Sequence, residues 1–182
     1  YAALINKGER LNAKLLTDIK YFTENQMLNK LYNVFDGNHH SITFNINATS
    51  DNAGLAKESD GGTVKNLTIL GKIATADKYA AAVIGVAAGG TTTISNVASY
   101  ITIETGVVGD GTHGGIVGVV NSAVNMKDCL FGGRIVGSST NSCGGLVGWS
   151  SATCRIDNCL QVGSMETDPS GGCTFSRNLG AV

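Results

Sequence analysis

The sequence is poor in proline, in charge and in aromatic residues, and each shortage excludes a class of protein. Its 182 residues include one proline, and 15% are charged and 6% aromatic. A collagen-like chain is excluded, because it requires abundant proline and a regular glycine period. Basic and acidic residues nearly balance at 13 and 14, which gives no electrostatic basis for binding nucleic acid or an anionic membrane. No apolar run approaches the roughly 18 residues that a membrane-spanning helix needs.

Glycine is abundant instead. The chain contains 25 glycines, and in a helical bundle each would cost about 1 kcal/mol. A hydrophobic fraction of 42% with a net charge of −1 also excludes an intrinsically disordered chain. The composition therefore predicts a largely β protein, with a length that suits one domain.

The cysteines do not form the pattern of a zinc site. The five are Cys129, Cys143, Cys154, Cys159 and Cys173, all in the C-terminal third of the chain. No C-x-x-C pair occurs, and the chain has three histidines. The sequence therefore favours no structural zinc site, and the odd number of thiols leaves the redox compartment open.

The chain repeats itself with a period near thirty residues. One four-residue pattern recurs at Val64–Leu67, Ile94–Val97, Met126–Cys129 and Ile156–Cys159, with offsets of 30, 32 and 30. A second pattern, Ala82–Val86, Gly115–Val119 and Gly145–Trp149, precedes the later copies. Its shared glycines, Gly85, Gly118 and Gly148, are spaced by 33 and 30 residues. Two independent markers with one period indicate a repeat architecture.

Each repeat consists of short β-type runs. They are Val64–Ile73, Ala81–Ala87, Ile94–Ile103, Gly115–Val120, Met126–Ile135, Gly145–Trp149 and Ile156–Met165. Two or three such strands per thirty residues suit one coil of a parallel β-helix, whose coils stack about 4.8 Å apart. We therefore predict an all-β, right-handed parallel β-helix with an N-terminal cap.

The first repeat pattern predicts a structural ladder. Its first and fourth positions are apolar, which places them inside the coil. Its third position is Asn66, Asn96, Asp128 or Asn158, and these residue types tolerate the left-handed conformation of a bend. We expect these four side chains to stack and hydrogen-bond from coil to coil.

Two cysteines share the inward fourth position of this pattern. Cys129 and Cys159 lie one period apart. Side chains in register about 4.8 Å apart suit packing, whereas a disulfide brings the Cβ atoms to about 3.8 Å. A stack of free thiols is therefore favoured over a disulfide.

The glycine pattern resembles a nucleotide-binding loop only superficially. Gly115–Gly118 and Gly145–Gly148 have neither a following helix nor the lysine and hydroxyl residue of a phosphate-binding loop. Glycine at these places instead predicts tight turns and a close approach of neighbouring coils.

With these motifs the sequence resembles the GLUG-motif proteins, a family of bacterial surface and adhesin-like repeat modules. Gly145–Gly148, Gly115–Gly118 and Asn158-Cys159 match the core of the motif. Phe35–Ile42 and Leu4–Ile19 resemble the segments that commonly precede it. The resemblance covers nearly the whole chain. It implies a β-helix exposed on a bacterial cell or secreted from it, without shared catalytic residues.

The repeats also suggest how the chain is organised. We expect residues 1–60 to form an N-terminal cap and irregular first coils, with a short helix ending near Lys7 and a strand over Lys14–Lys20. The repeat is not expected to run before Ile42. Residues 61–182 are expected to form GLUG-like repeats of one continuous domain, within a protein that continues beyond Val182.

Few residues suggest chemistry. The weak binding candidates are Asp77, Asp110, His113 and Asp168 in loops along one expected edge, and Trp149, the only tryptophan. They suit a weak contact with a glycan or Ca²⁺, but solvated loops and partly buried packing explain them as well. The intervening loop Ser138–Ser142 carries no charge, so no catalytic set is predicted.

One further cluster, near the N-terminus, has two interpretations. His39 and His40 beside Asp36 suggest a metal site, but the same residues with Gly37 are typical of a turn. We favour the turn and predict no cofactor.

Two functions remain open at this stage. The preferred one is a non-catalytic, secreted or cell-surface bacterial module, a stalk or adhesin repeat that contacts a glycan or a surface protein. The alternative is a carbohydrate-active β-helix enzyme, a polysaccharide hydrolase or lyase, that acts at the loop edge. A pair of carboxylates about 5–9.5 Å apart in a cleft would favour a glycosidase.

Overall fold

The chain forms stacked parallel β coils. The computed structural model describes residues 6–8, 10–137 and 140–167. Its strands are β1 (Ala13–Lys14), β2 (Ile19–Phe22), β3 (Leu28–Leu31), β4 (Val34–Asp36), β5 (Ser41–Ala48), β6 (Ala56–Asp60), β7 (Thr63–Thr75), β8 (Ile84–Gly89), β9 (Thr92–Ser99), β10 (Thr102–Thr105), β11 (Gly109–Asp110), β12 (Val117–Val120), β13 (Val124–Lys127), β14 (Leu130–Phe131), β15 (Arg134–Gly137), β16 (Thr140–Asn141), β17 (Val147–Ser150), β18 (Cys154–Asp157), β19 (Leu160–Gln161) and β20 (Ser164–Thr167). A single-turn 3₁₀ helix, Glu24–Gln26, lies between β2 and β3.

Residues one period apart pair side by side. The parallel pairings of β7, β9, β13 and β18 align Val64 with Ile94, Ile94 with Met126, and Met126 with Ile156. Val64, Ile94 and Met126 are buried, and Ile156 packs against the same core. The predicted inward column is therefore confirmed, and with it the parallel β-solenoid.

Two sheets carry most of the strands. One runs β17–β12–β8–β6–β3, and a larger one contains β7 at its centre. The first half of β7 pairs with β9, and its second half pairs with β10. This strand bends at Asn66 and at Gly71, where φ is positive. The larger sheet therefore turns a corner and encloses the core with the smaller one.

Within residues 1–60, the parallel pairing of coils begins earlier than the sequence predicts. β1, β2 and β3 pair in parallel with β4, β5 and β6, so the prediction that the repeat starts only after Ile42 is wrong. The strand expected over Lys14–Lys20 is two strands, because β1 ends at Lys14 and β2 begins at Ile19. Paired residues are 22 or 23 apart in the first two of these pairings, as in Ala13–Phe35 and Ile19–Ile42, and 28 apart between β3 and β6. These shorter and unequal spacings, without the glycine marker, conceal the repeat. The helix expected near Lys7 lies largely outside the described residues.

The core is a set of aliphatic and aromatic columns inside the coils. Ile42, Ile69, Ile73 and Ile103 are fully buried. In the first coils the rings of Phe22 and Phe44 stack with centroids 4.9 Å apart. Burial of such side chains is worth roughly 1.5–3 kcal/mol each, so the columns stabilise the stack while the loops remain free to vary.

Candidate functional site

The asparagine ladder is present where it was predicted. Asn66, Asn96, Asp128 and Asn158 have φ angles of 54°, 52°, 53° and 49°, which is the left-handed conformation. The Asn96 amide donates to Asn66 Oδ1 over 2.9 Å, and the Asn158 amide donates to Asp128 Oδ1. Asn66 in turn donates to Asp36 Oδ1, 3.1 Å away. These amides bond to neighbouring coils, which is the geometry of a structural ladder.

The segment Asp36–His40, which contains the two adjacent histidines, forms the turn that the sequence favours. Backbone N–H of Asn38 and the Asn66 amide donate to Asp36, and these bonds lower the pKa of Asp36. His39 has a positive φ of 64°, and His40 Nδ1 lies 3.4 Å from the Asp18 carboxylate. Among the described residues no group of three or more His, Cys, Asp or Glu side chains is arranged to hold a metal ion.

His113 lies inside the solenoid, so its assignment to an exposed loop edge is wrong. It is fully buried. Its Nδ1 accepts a hydrogen bond from the backbone N–H of Ala80 over 3.1 Å, and its Nε2 lies 2.8 Å from the Thr105 hydroxyl. Both ring nitrogens therefore have partners within the protein, which compensates for the loss of water. No ring atom remains to contact a ligand.

Burial also sets the protonation state of this histidine. Desolvation lowers the pKa of His113 to about 4, although the nearby Asp110 charge acts in the opposite direction. The Ala80 N–H occupies Nδ1, so we assign the proton of the neutral ring to Nε2, which donates to Thr105. The imidazole is a neutral link between coils at physiological pH.

Two members of the expected row of acidic loop residues, Asp77 and Asp110, do not line the same groove. Asp77 uses its backbone in a local turn, where its N–H donates to the Thr75 hydroxyl over 2.9 Å. Asp110 lies in the following coil and lines a surface groove that does not include Asp77. Asp168 lies outside the described residues. Asp77 lies two residues after Thr75, whereas Asp110 lies five residues after Thr105, the partner of Thr75 in the next coil, because the chain after β10 is longer there.

Two of the predicted candidates, Asp110 and Trp149, do meet in one groove. It has a volume of about 260 Å³ and is lined by Tyr79, Asp110, Thr112, Val119, Asn121 and Trp149. Val119 of β12 pairs in register with Trp149 of β17, which places the indole on the outer face. Trp149 is 37% exposed, so part of this residue is available to a ligand.

The loops that form this groove repeat a second left-handed position. Asn52, Tyr79, Thr112 and Ser142 have φ angles of 69°, 65°, 48° and 56°. Tyr79, Thr112 and Ser142 each lie six residues before a marker glycine. That spacing is the signal that sequence reasoning missed.

The marker glycines hold these loops against the sheet. A Cβ on Gly118 would lie 2.6 Å from the Gly85 carbonyl oxygen and 2.8 Å from that of Tyr79. A Cβ on Gly148 would lie 2.7 Å from the His113 carbonyl oxygen. The expectation that these glycines permit close approach of the coils is confirmed. Because Gly118 has no side chain, the backbone of Tyr79 can lie directly against it, beside the groove.

The side chains that line the groove carry one carboxylate, one amide, two hydroxyls and one indole N–H. Asp110 Oδ1 accepts a hydrogen bond from the Thr112 hydroxyl. Asn121 Oδ1 accepts one from Ser151 over 3.2 Å, which leaves its NH₂ hydrogens to donate. Asp110 is the one charged side chain among the described residues that line the groove.

The two cysteines of the ladder segments are adjacent free thiols, as predicted. Cys129 and Cys159 are buried and unbridged. The backbone N–H of Cys129 lies 3.4 Å from Cys159 Sγ. Hydrogen bonding between the two thiols lowers the pKa of Cys159 to about 7 and, together with burial, raises that of Cys129. Of the remaining cysteines, Cys173 lies outside the described residues.

The structure and the comparisons with known proteins leave the family open. The described part of the chain contains no helix that is long and apolar enough to cross a membrane. The chain matches no family model, no curated protein and no solved structure. Its resemblance to the GLUG-motif proteins remains a prediction from the motifs quoted above.

Proposed function

We propose that this chain is a non-catalytic module of a secreted or cell-surface bacterial protein, which binds a glycan or a surface protein through the outside of its solenoid. The observation that supports this best is the groove in which Asp110 and Trp149 meet. It joins side chains from successive coils on a rigid scaffold, which is how repeat proteins build binding surfaces. A bacterial and extracellular setting is suggested by the motif resemblance and the low charge of the chain.

The alternative is a carbohydrate-active enzyme that uses the same groove. Glycoside hydrolysis normally uses two carboxyl groups on either side of the scissile bond. Asp110 is the one carboxylate among the described residues that line the groove. The nearby titratable side chain, the buried His113, has both nitrogens bonded internally and a pKa lowered to about 4. This arrangement favours binding over hydrolysis.

Binding and hydrolysis are separated by measuring both on the same samples. Purified protein is applied to a glycan and surface-protein array, and parallel samples with soluble polysaccharides are assayed for new reducing ends and for unsaturated lyase products. We expect retention on at least one immobilised ligand and no product above that of a heat-denatured control. Product release that is lost in Asp110→Asn would overturn the proposal and establish the enzyme.

A further inference from the structure

We propose that the groove between Tyr79 and Trp149 is a subsite for one pyranose ring of a neutral or amino-bearing glycan, a proposal that rests on the proposed function and names its ligand class. The groove has an aromatic side chain from one coil, polar groups from the next and the indole from a third. Its volume of about 260 Å³ suits a single ring of a longer chain rather than a folded protein segment.

The indole provides the apolar half of the subsite. Trp149 is held by the register of β17 against β12, beside the buried Val119, and is 37% exposed. The face of an aromatic ring carries partial negative charge, which attracts the electron-poor C–H groups on one face of a pyranose. An ammonium group on an amino sugar would be attracted to the same face.

The polar groups provide directional recognition of hydroxyls. Asp110 keeps acceptor capacity beyond the hydrogen bond from Thr112, because a carboxylate has about four lone-pair sites. The Asn121 amide keeps its NH₂ hydrogens, since its oxygen is the atom that bonds to Ser151. One strong acceptor and one donor beside a flat apolar surface match a sugar ring, which offers hydroxyls at its rim and C–H groups on its face.

Charge defines which glycans the groove excludes. Asp110 contributes a carboxylate, and no lysine or arginine is among the described lining residues. Uronic acids, sulfated sugars and phosphates would meet like charge without a compensating partner. Neutral and amino-bearing rings meet no such penalty, so the groove discriminates by charge as well as by shape.

The subsite is preorganised because its loops are anchored by backbone hydrogen bonds between coils. The Tyr79 N–H donates to the Gly111 carbonyl over 2.9 Å, and the Gly114 N–H donates to the Ala80 carbonyl over 3.0 Å. Bonds of this kind reduce the ordering that a ligand must cause on binding.

The single tryptophan of the chain makes the test direct. Trp149 fluorescence is titrated with hexamers of β-linked glucose, mannose, galactose, N-acetylglucosamine, glucosamine and galacturonic acid, and calorimetry is run in parallel. We expect saturable changes with at least one neutral or amino hexamer. We expect galacturonate to bind at least about tenfold more weakly, from one uncompensated charge.

Matched variants locate the ligand. Asp110→Asn keeps the shape of the side chain, and it should weaken the best hexamer about tenfold while narrowing the discrimination against galacturonate. Trp149→Ala, followed by calorimetry, should abolish measurable binding. Tyr100→Ala removes another exposed aromatic side chain that does not line the groove, and it should leave binding unchanged. Circular dichroism of each variant verifies that the β coils remain folded.

The remaining outcomes separate this proposal from the proposed function. If no hexamer binds by either method, the sugar subsite is overturned, and retention of a protein ligand on the array would still support a binding module. If binding is lost in Tyr100→Ala and kept in Trp149→Ala, the ligand lies on the other face and the subsite is overturned. If Trp149-dependent binding is followed by release of shorter saccharides, the subsite is supported and the non-catalytic function is overturned.

Discussion

Acidification should destabilise the solenoid through one buried side chain, His113. In the folded protein its pKa is lowered from 6.5 to about 4, because the ring is buried. Between these values the unfolded chain binds a proton that the folded protein does not, so stability falls as the pH falls from 6.5 towards 4. For these two pKa values, the loss between pH 7.5 and pH 5 is about 2 kcal/mol.

The substitution His113→Gln removes the titrating group and keeps an acceptor and a donor. At pH 7.5 we expect it to cost about 1–3 kcal/mol, because the Ala80 N–H and the Thr105 hydroxyl lose well-placed partners. Between pH 7.5 and pH 5, however, its free energy of unfolding should change by about 2 kcal/mol less than that of the wild type. The variant is thus less stable at neutral pH and less sensitive to acid.

Urea unfolding of both proteins, followed by fluorescence and circular dichroism at several pH values, measures this difference. Carboxylates with a lowered pKa, such as Asp36, also lose their contribution as the pH falls through their folded pKa. They are present in both proteins, so the difference between wild type and variant isolates His113. Equal acid sensitivity of the two proteins, or an NMR titration of His113 near pH 6.5, would refute the reasoning.

Three further changes test the ladder, the marker glycines and the thiols. Asn96→Ala should lower the free energy of unfolding in urea by about 1–2 kcal/mol, because alanine is strained at positive φ and the hydrogen bond of the side-chain amide is lost. Asn96→Gly should cost less, because glycine tolerates positive φ. Equal losses in the two variants would contradict the role of the left-handed conformation. Gly118→Ala should destabilise the protein by about 2 kcal/mol or more, because its Cβ would lie 2.6 Å from a backbone oxygen. The control is Gly106→Ala, which should be tolerated because the nearest atom is 3.8 Å away. Comparable melting temperatures of the two variants would contradict this account. Thiol titration of the unfolded, non-reduced protein should detect most of the five cysteines as free thiols. In the folded protein Cys129 and Cys159 should react slowly, because they are buried. Two or fewer free thiols in the unfolded protein would reveal a disulfide framework.

The sequence predicted those parts of the fold that repeat with a constant period. The apolar column and the left-handed ladder followed from the four-residue pattern, because each position has the same neighbours in every coil. The first coils were expected only as irregular ones, and their pairing before Ile42 was not predicted, since their paired residues are 22 to 29 apart and these coils lack the glycine marker. A repeat is visible in a sequence only where its length is constant, but stacking requires only that strands align.

The site was harder to predict because its residue types differ from coil to coil, although the positions of its loops repeat. Asp110 was predicted from its expected place on a loop edge and Trp149 from its residue type, and nothing in their spacing indicates that they line one groove. Tyr79 and Asn121 were missed because each is an ordinary loop residue that acquires its place from the coil beneath it. His113 was misplaced since a polar residue in a glycine-rich segment suggests exposure, whereas hydrogen bonds from two other segments hold it inside.

The alignment of columns from coil to coil has an evolutionary consequence. Deleting or duplicating one whole coil would leave the register of the remaining strands intact, so the length of such a solenoid can change by duplication without redesign of the core. Such a change would not be harmless at the groove, because Tyr79, Asp110 and Trp149 come from three successive coils. Related chains that gain or lose coils outside this trio should retain the groove, and those that change within it should lose it. Length variation among such chains would therefore mark the coils that selection has kept together.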